Sequence, residues 1–166
     1  MFPTFRILAN LLRKKESPPV QYLPRSKRKI NLIVVHCAAT KPSMDIGVRE
    51  IRSWHEDKGW DDVGYQAVIR RDGTFETGRS VDVPGAHAFG FNANSIGICL
   101  VGGIDNAGKP DPNFTPAQLD TLSNVLDECE RHYPGAPIKG HRDLGAGKAC
   151  PSFDVREWRK SGKVVA

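Results

Sequence analysis

Asn31-Leu32-Ile33-Val34-Val35-His36 is the run from which the fold can be read. Leu32 to Val35 is a continuous aliphatic stretch with three β-branched members, bounded on both sides by polar residues. Such a run suits a strand buried on both faces of a sheet. It delivers a histidine at its C-terminal end, which is where α/β domains tend to hold ligand-binding groups. Ser95 to Val101 is a second continuous apolar run and reads as another buried strand. Tyr65 to Arg70 and Thr74 to Thr77 read as two strands of a hairpin, with Arg71-Asp72-Gly73 as the turn.

Helical patterns separate these runs. Gly47 to Gly59 places Val48, Ile51 and His55 on one stripe with Trp54 alongside. Asp45 is the expected N-cap and Gly59 the stop. His55 is expected to be packed or half-exposed. Thr115-Pro116-Ala117-Gln118 is a capping box with proline at the first helical position. The helix it opens should bury Leu119, Leu122, Leu126 and Cys129, with Val125 beside them, and stop before Pro134-Gly135. Asp154-Val155-Arg156-Glu157 reads as a second capping box, opening a last helix that carries Trp158. Strands separated by helices predict an α/β fold: a single domain with a central mixed β-sheet flanked by helices on both faces. The length of 166 residues suits one such domain with a real core.

Composition narrows the class further. With 39% apolar and 26% charged residues, the chain matches ordinary globular proteins rather than disordered ones. No run approaches the ~18 apolar residues of a membrane span. Cys37, Cys99, Cys129 and Cys150 lack close pairing and no C-x-x-C occurs, so reduced thiols are expected, with a bridge among the first three left open.

Charge is spread unevenly. Residues 1–29 hold eight Lys/Arg against Glu16 alone, whereas residues 30–166 hold sixteen basic and eighteen acidic groups. Residues 1–29 therefore read as a basic N-terminal extension, and 30–166 as the domain. Phe5, Leu8 and Leu12 fall on one helical face, making a short amphipathic helix with Arg6, Arg13, Lys14 and Lys15 nearby. Arg6 and Asn10 interrupt the apolar stretch, which fits a signal peptide poorly. Ser17-Pro18-Pro19 and Pro24 read as linker. Such an extension suits an anionic envelope surface or RNA phosphates, or adds nothing more than solubility.

The second informative stretch is Ile138 to Asp154. Ile138-Lys139-Gly140-His141 reads as a strand end, Gly145-Ala146-Gly147 lets the loop fold back, and Pro151 stiffens its exit. His141 and Cys150 would then face one point in space with Lys148 beside them. A histidine and a cysteine nine positions apart are usually unrelated, and two ligands do not close a zinc site. His36, at the other strand end, is a candidate third. By itself Tyr65 reads as a strand residue with a satisfied hydroxyl, and Trp60 either packs on the sheet or lines a groove.

Several motifs occur in a familiar order: Val35-His36-Cys37-Ala38-Ala39-Thr40, Val63-Gly64-Tyr65-Gln66, Asn94-Ser95-Ile96-Gly97-Ile98, His141, and Lys148-Ala149-Cys150-Pro151-Ser152-Phe153-Asp154. Over about residues 30–160 the chain resembles the zinc-dependent N-acetylmuramoyl-L-alanine amidases of the amidase-2 type, especially the small amidase lysozymes of tailed phages. These share a fold with peptidoglycan-recognition proteins. The resemblance implies one Zn²⁺ held by His36, His141 and Cys150. It also implies catalytic roles for Tyr65 and Lys148 on the amide between N-acetylmuramic acid and L-alanine. Thr40, Trp60, His87 and Asn92 are candidates for lining the substrate groove.

It implies, too, a monomeric peptidoglycan hydrolase made in a host cytoplasm, which reaches the cell wall once the membrane is permeabilised. Two alternatives stand beside this. One is a non-catalytic peptidoglycan-binding module, which typically lacks the cysteine ligand retained here. The other is an amidase that also restrains a phage RNA polymerase through surface near its N-terminus.

Overall fold

The computed structural model describes residues 20–145 and 147–166. The amphipathic helix expected near the N-terminus and the Ser17-Pro18-Pro19 linker lie outside the described residues. Five strands, β1 (Leu32–Cys37), β2 (Ala67–Ile69), β3 (Phe75–Thr77), β4 (Ser95–Leu100) and β5 (Ile138–Gly140), form one sheet in the order β3-β2-β4-β1-β5. β1 runs parallel to β4 and β5, β2 runs parallel to β4, and only β3 is antiparallel. The sheet is mixed, as the run of elements predicts.

Strand alternation divides the interior into two cores. Ile33 and Val35 of β1, Ile96, Ile98 and Leu100 of β4, and Ile69 of β2 point to one side. They meet Leu122, Val125, Leu126 and Cys129 of α2 (Pro116–His132) and Val155 and Trp158 of α3 (Val155–Ser161). On the opposite side Val68 and Cys99 meet Val48 and Ile51 of α1 (Val48–Glu56). Helices therefore cover both faces. His36 alternates with Val35 and so belongs to the α1 side, where the core gives way to a groove. Among the described residues no helix is long and apolar enough to cross a membrane. All four cysteines are free.

The helix ends follow their local chemistry, with two corrections. Thr115 Oγ1 accepts from Gln118 N, and Gln118 Oε1 accepts from Thr115 N, closing the expected capping box. At α3 only half of the expected capping box forms: Asp154 accepts from Glu157 N, while Asp154 N donates to Val165 O rather than to the Glu157 side chain. At α1 the N-cap is Gly47 rather than Asp45. Glu50 of the first turn accepts from Gly47 N and Glu76 of β3 from Val48 N, so one carboxylate of the helix and one from the sheet serve the first amides. Asp45 pairs instead with Arg70 at 2.9 Å.

The domain boundary expected at Lys29 lies inside the fold. Leu23 is buried in the α2-side core, and the buried Glu128 carboxylate accepts from Tyr22 N and Leu23 N. Ser26 N donates to the Tyr133 hydroxyl, and Ser26 Oγ donates to Val81 O. Arg28 is no tail charge either. Its guanidinium binds the carbonyls of Val81, Asn92, Ala93 and Ser95, gripping both ends of the 81–95 connection. The sequence hides this because a polar, proline-containing segment can be strapped down by backbone hydrogen bonds that no hydropathy pattern records. We expect Glu128→Ala to lower the unfolding free energy in urea by about 2–4 kcal/mol, since it strands the buried Leu23 N–H and the half-buried Tyr22 N–H. Glu128→Gln, which keeps an acceptor, should cost less.

Candidate metal centre and groove

Strand pairing brings the two histidines together. β1 and β5 are parallel with Val35 opposite Gly140. The next residue on each, His36 and His141, therefore emerges at the same sheet edge, and the ring centroids lie 4.6 Å apart. His141 opens a short 3₁₀ turn, His141–Leu144, where Asp143 Oδ2 accepts from Gly140 N at 2.9 Å. Arg142 N then donates to Cys150 O at 2.7 Å, folding the loop back on itself. Ser152 Oγ donates to Gly103 O at 2.7 Å and anchors the exit. Cys150 Sγ is left 3.8 Å from His36 Nδ1, with Cys37 N donating to the sulfur at 3.2 Å.

The ligand atoms of His36, His141 and Cys150 all lie within 4.8 Å of one another. A tetrahedral zinc ion, with bonds of about 2.1 Å to nitrogen and 2.3 Å to sulfur, sets its ligand atoms roughly 3.4–3.6 Å apart. The cluster therefore fits such an ion after a small contraction.

The two imidazoles are available as neutral ligands. Burial, aided by His87, His141 and Lys148, holds the His36 pKa well below the ordinary imidazole value. Burial and Lys148 lower that of His141 as well. Both rings are therefore neutral at neutral pH, with a lone pair each to offer. The Cys150 thiol is pushed up by its hydrogen bond with Cys37 and by burial. A divalent ion reverses that balance, because a coordinated thiol is deprotonated outright.

Two connected cavities, of about 580 Å³ and about 330 Å³, form a groove over this cluster. They share Trp60, Ala86, His87, His141 and Lys148 as walls. The larger continues between Phe89, Phe91 and Leu144; the smaller runs past Tyr65 towards His55, Trp54 and Lys58. Lys148 is exposed and reaches both. Tyr65 is half-buried, its ring 5.1 Å from that of His36. Burial raises its phenol pKa well above the ordinary value.

Of the four residues expected to line the groove, Trp60, His87 and Asn92 do so. Thr40 forms no part of either wall: it is buried, and its Oγ1 accepts from Gly102 N. Asn92 is committed elsewhere, with Oδ1 accepting from both His87 N and Ala88 N at 2.9 Å. His55, expected to be packed or half-exposed, is buried and still reaches the groove, its Nδ1 accepting from Gly64 N at 2.9 Å. Phe89 and Phe91 were not singled out. Two aromatic residues in a glycine-rich polar connection were the available signal, and Phe89 is fully exposed.

Comparison with known proteins gives the family. The chain is 53% identical over 146 residues to the endolysin of Enterobacteria phage K11, spanning 88% of this chain and 95% of that protein. It is 51% identical over 141 residues to the endolysin of Escherichia phage T7, spanning 85% and 93%. Among solved structures, the N-acetylmuramoyl-L-alanine amidase LysC from Clostridium intestinale URNW superposes with a TM-score of 0.70 at 29% identity, covering 81% of this chain and 85% of that one. The family model for N-acetylmuramoyl-L-alanine amidase matches residues 26–153. This chain belongs to the N-acetylmuramoyl-L-alanine amidase family.

Proposed function

We propose that the protein is a zinc-dependent endolysin that cleaves the amide between N-acetylmuramic acid and L-alanine in peptidoglycan. The observation that carries this reading is the His36/His141/Cys150 cluster at the floor of a groove whose walls also present Tyr65 and Lys148. Two imidazoles and one thiolate leave a fourth position open, the mark of a catalytic rather than a structural zinc site. When bound, the ion would supply Lewis acidity, lowering the pKa of a water to about 7 and polarising the scissile carbonyl.

The protein's own side chains supply the rest. The Lys148 ammonium reaches the groove and stabilises the oxyanion that develops on the carbonyl oxygen. Tyr65, with its phenol pKa raised by burial, stays protonated and serves as a hydrogen-bond donor rather than as a base. Trp60, Phe89 and Phe91 offer apolar walls for a muramoyl peptide, and the site acts on the cell wall.

Digestion of purified peptidoglycan should release new L-alanine amino termini, and a chelator should abolish their appearance. Cleavage at a different bond, or undiminished activity after full metal removal, would overturn the reading. Cys150→Ser should lose stoichiometric zinc and activity together, as measured by elemental analysis and turnover. Lys148→Ala should keep its zinc and lose about 10²–10³-fold in rate. A Lys148→Ala enzyme within a few-fold of wild type would remove that lysine from the chemistry.

A further inference from the structure

His87 is placed with more care than a groove wall requires. It lies outside the three-residue cluster, yet its Nδ1 is 2.9 Å from His36 Nε2, and its Nε2 is 3.2 Å from the buried Ser95 Oγ. The ring itself is buried. Gly97 and Gly85 make room for it: a Cβ at either position would come within 2.6 Å or less of the His87 ring. Asn92 grips the His87 amide, and Arg28 ties down the ends of the connection that carries it. Rings, glycines and clamps together fix one imidazole against another.

The hydrogen-bond directions follow from the donor inventory. A neutral imidazole has one N–H and one lone pair. The nitrogen of His36 that faces Cys150 is Nδ1, and to bind a metal it must be free of hydrogen. Nε2 must then carry the proton and donate it to His87 Nδ1. His87 in turn carries its proton on Nε2, which donates to Ser95 Oγ. The reverse arrangement would aim an N–H at the ion.

We propose that His87 is a positioning residue for the metal centre: by accepting from His36 Nε2–H it holds His36 in the tautomer whose Nδ1 lone pair is available to the ion. This rests on the reading of His36 as a zinc ligand. Metal-bound histidines generally need such a partner on their other nitrogen, and its loss costs about 10–100-fold in metal affinity. The partner is usually a carboxylate or a backbone carbonyl; here a neutral, serine-tethered imidazole takes that place.

The test uses the full-length zinc-loaded protein with His87→Phe and His87→Gln. In the wild type, ¹⁵N correlation spectra of the imidazoles should show His36 protonated at Nε2 and coupled across the hydrogen bond to an unprotonated His87 Nδ1. His87→Phe should weaken zinc binding by about 10–100-fold in competition with a chromophoric chelator. His87→Gln, whose side-chain oxygen can accept the same proton, should recover most of that loss. Three results would overturn the proposal: a protonated His87 Nδ1 in the wild type, a His87→Phe variant binding zinc within about twofold of wild type, or equal losses in both variants accompanied by equal losses in melting temperature. A wild-type protein that takes up no stoichiometric zinc would instead overturn the metal reading beneath it.

Discussion

The parallel pairing of β1 with β5 is the constraint on which the site depends. With Val35 held opposite Gly140, the chain has no choice but to present His36 and His141 side by side. Residues far apart in sequence become neighbours through backbone hydrogen bonds rather than through side-chain affinity. A slip of one residue in β1 would turn His36 into the α2-side core and Val35 into the groove. The apolar alternation of Ile33, Val35 and Cys37 on that core face is what penalises the slip. The hydrophobic core thus sets the register, and the register builds the candidate metal centre.

Around that edge, supporting contacts come from segments that look unremarkable. Residues 22–28 are strapped to α2 and to the 81–95 connection, and Arg28 spends its guanidinium on four backbone carbonyls of that connection. The same connection carries His87, packed against His36 over glycines that leave it just enough room. Catalytic geometry in such sites tolerates little looseness, and a rigid surround is how a loop-borne group acquires it.

Much of this was legible in the sequence. The aliphatic runs at β1 and β4 and the Thr115 capping box located their elements because each rests on local chemistry. His36, His141, Cys150, Tyr65 and Lys148 could be gathered because their motifs occur in the order of a known family; spacing alone did not join His141 to Cys150. What was not legible depends on long-range contact. At the start of α1 the Glu76 carboxylate arrives from β3 to accept from Val48 N, 28 residues away in sequence, and its close approach leaves no room for a Cβ at Gly47. Thr40 is a groove candidate in the sequence, but its hydroxyl turns inward to accept from Gly102 N. The basic residues up to Lys29 look like a tail in the sequence because charge and proline content say nothing of the carbonyls that Arg28 finds.

X-ray absorption at the zinc edge of the loaded protein tests the central claim most directly, since it counts the donor atoms themselves. The account predicts one sulfur at about 2.3 Å and two imidazole nitrogens at about 2.0–2.1 Å, with a light oxygen or nitrogen donor completing the shell. A shell without sulfur, or with several sulfurs, would contradict it.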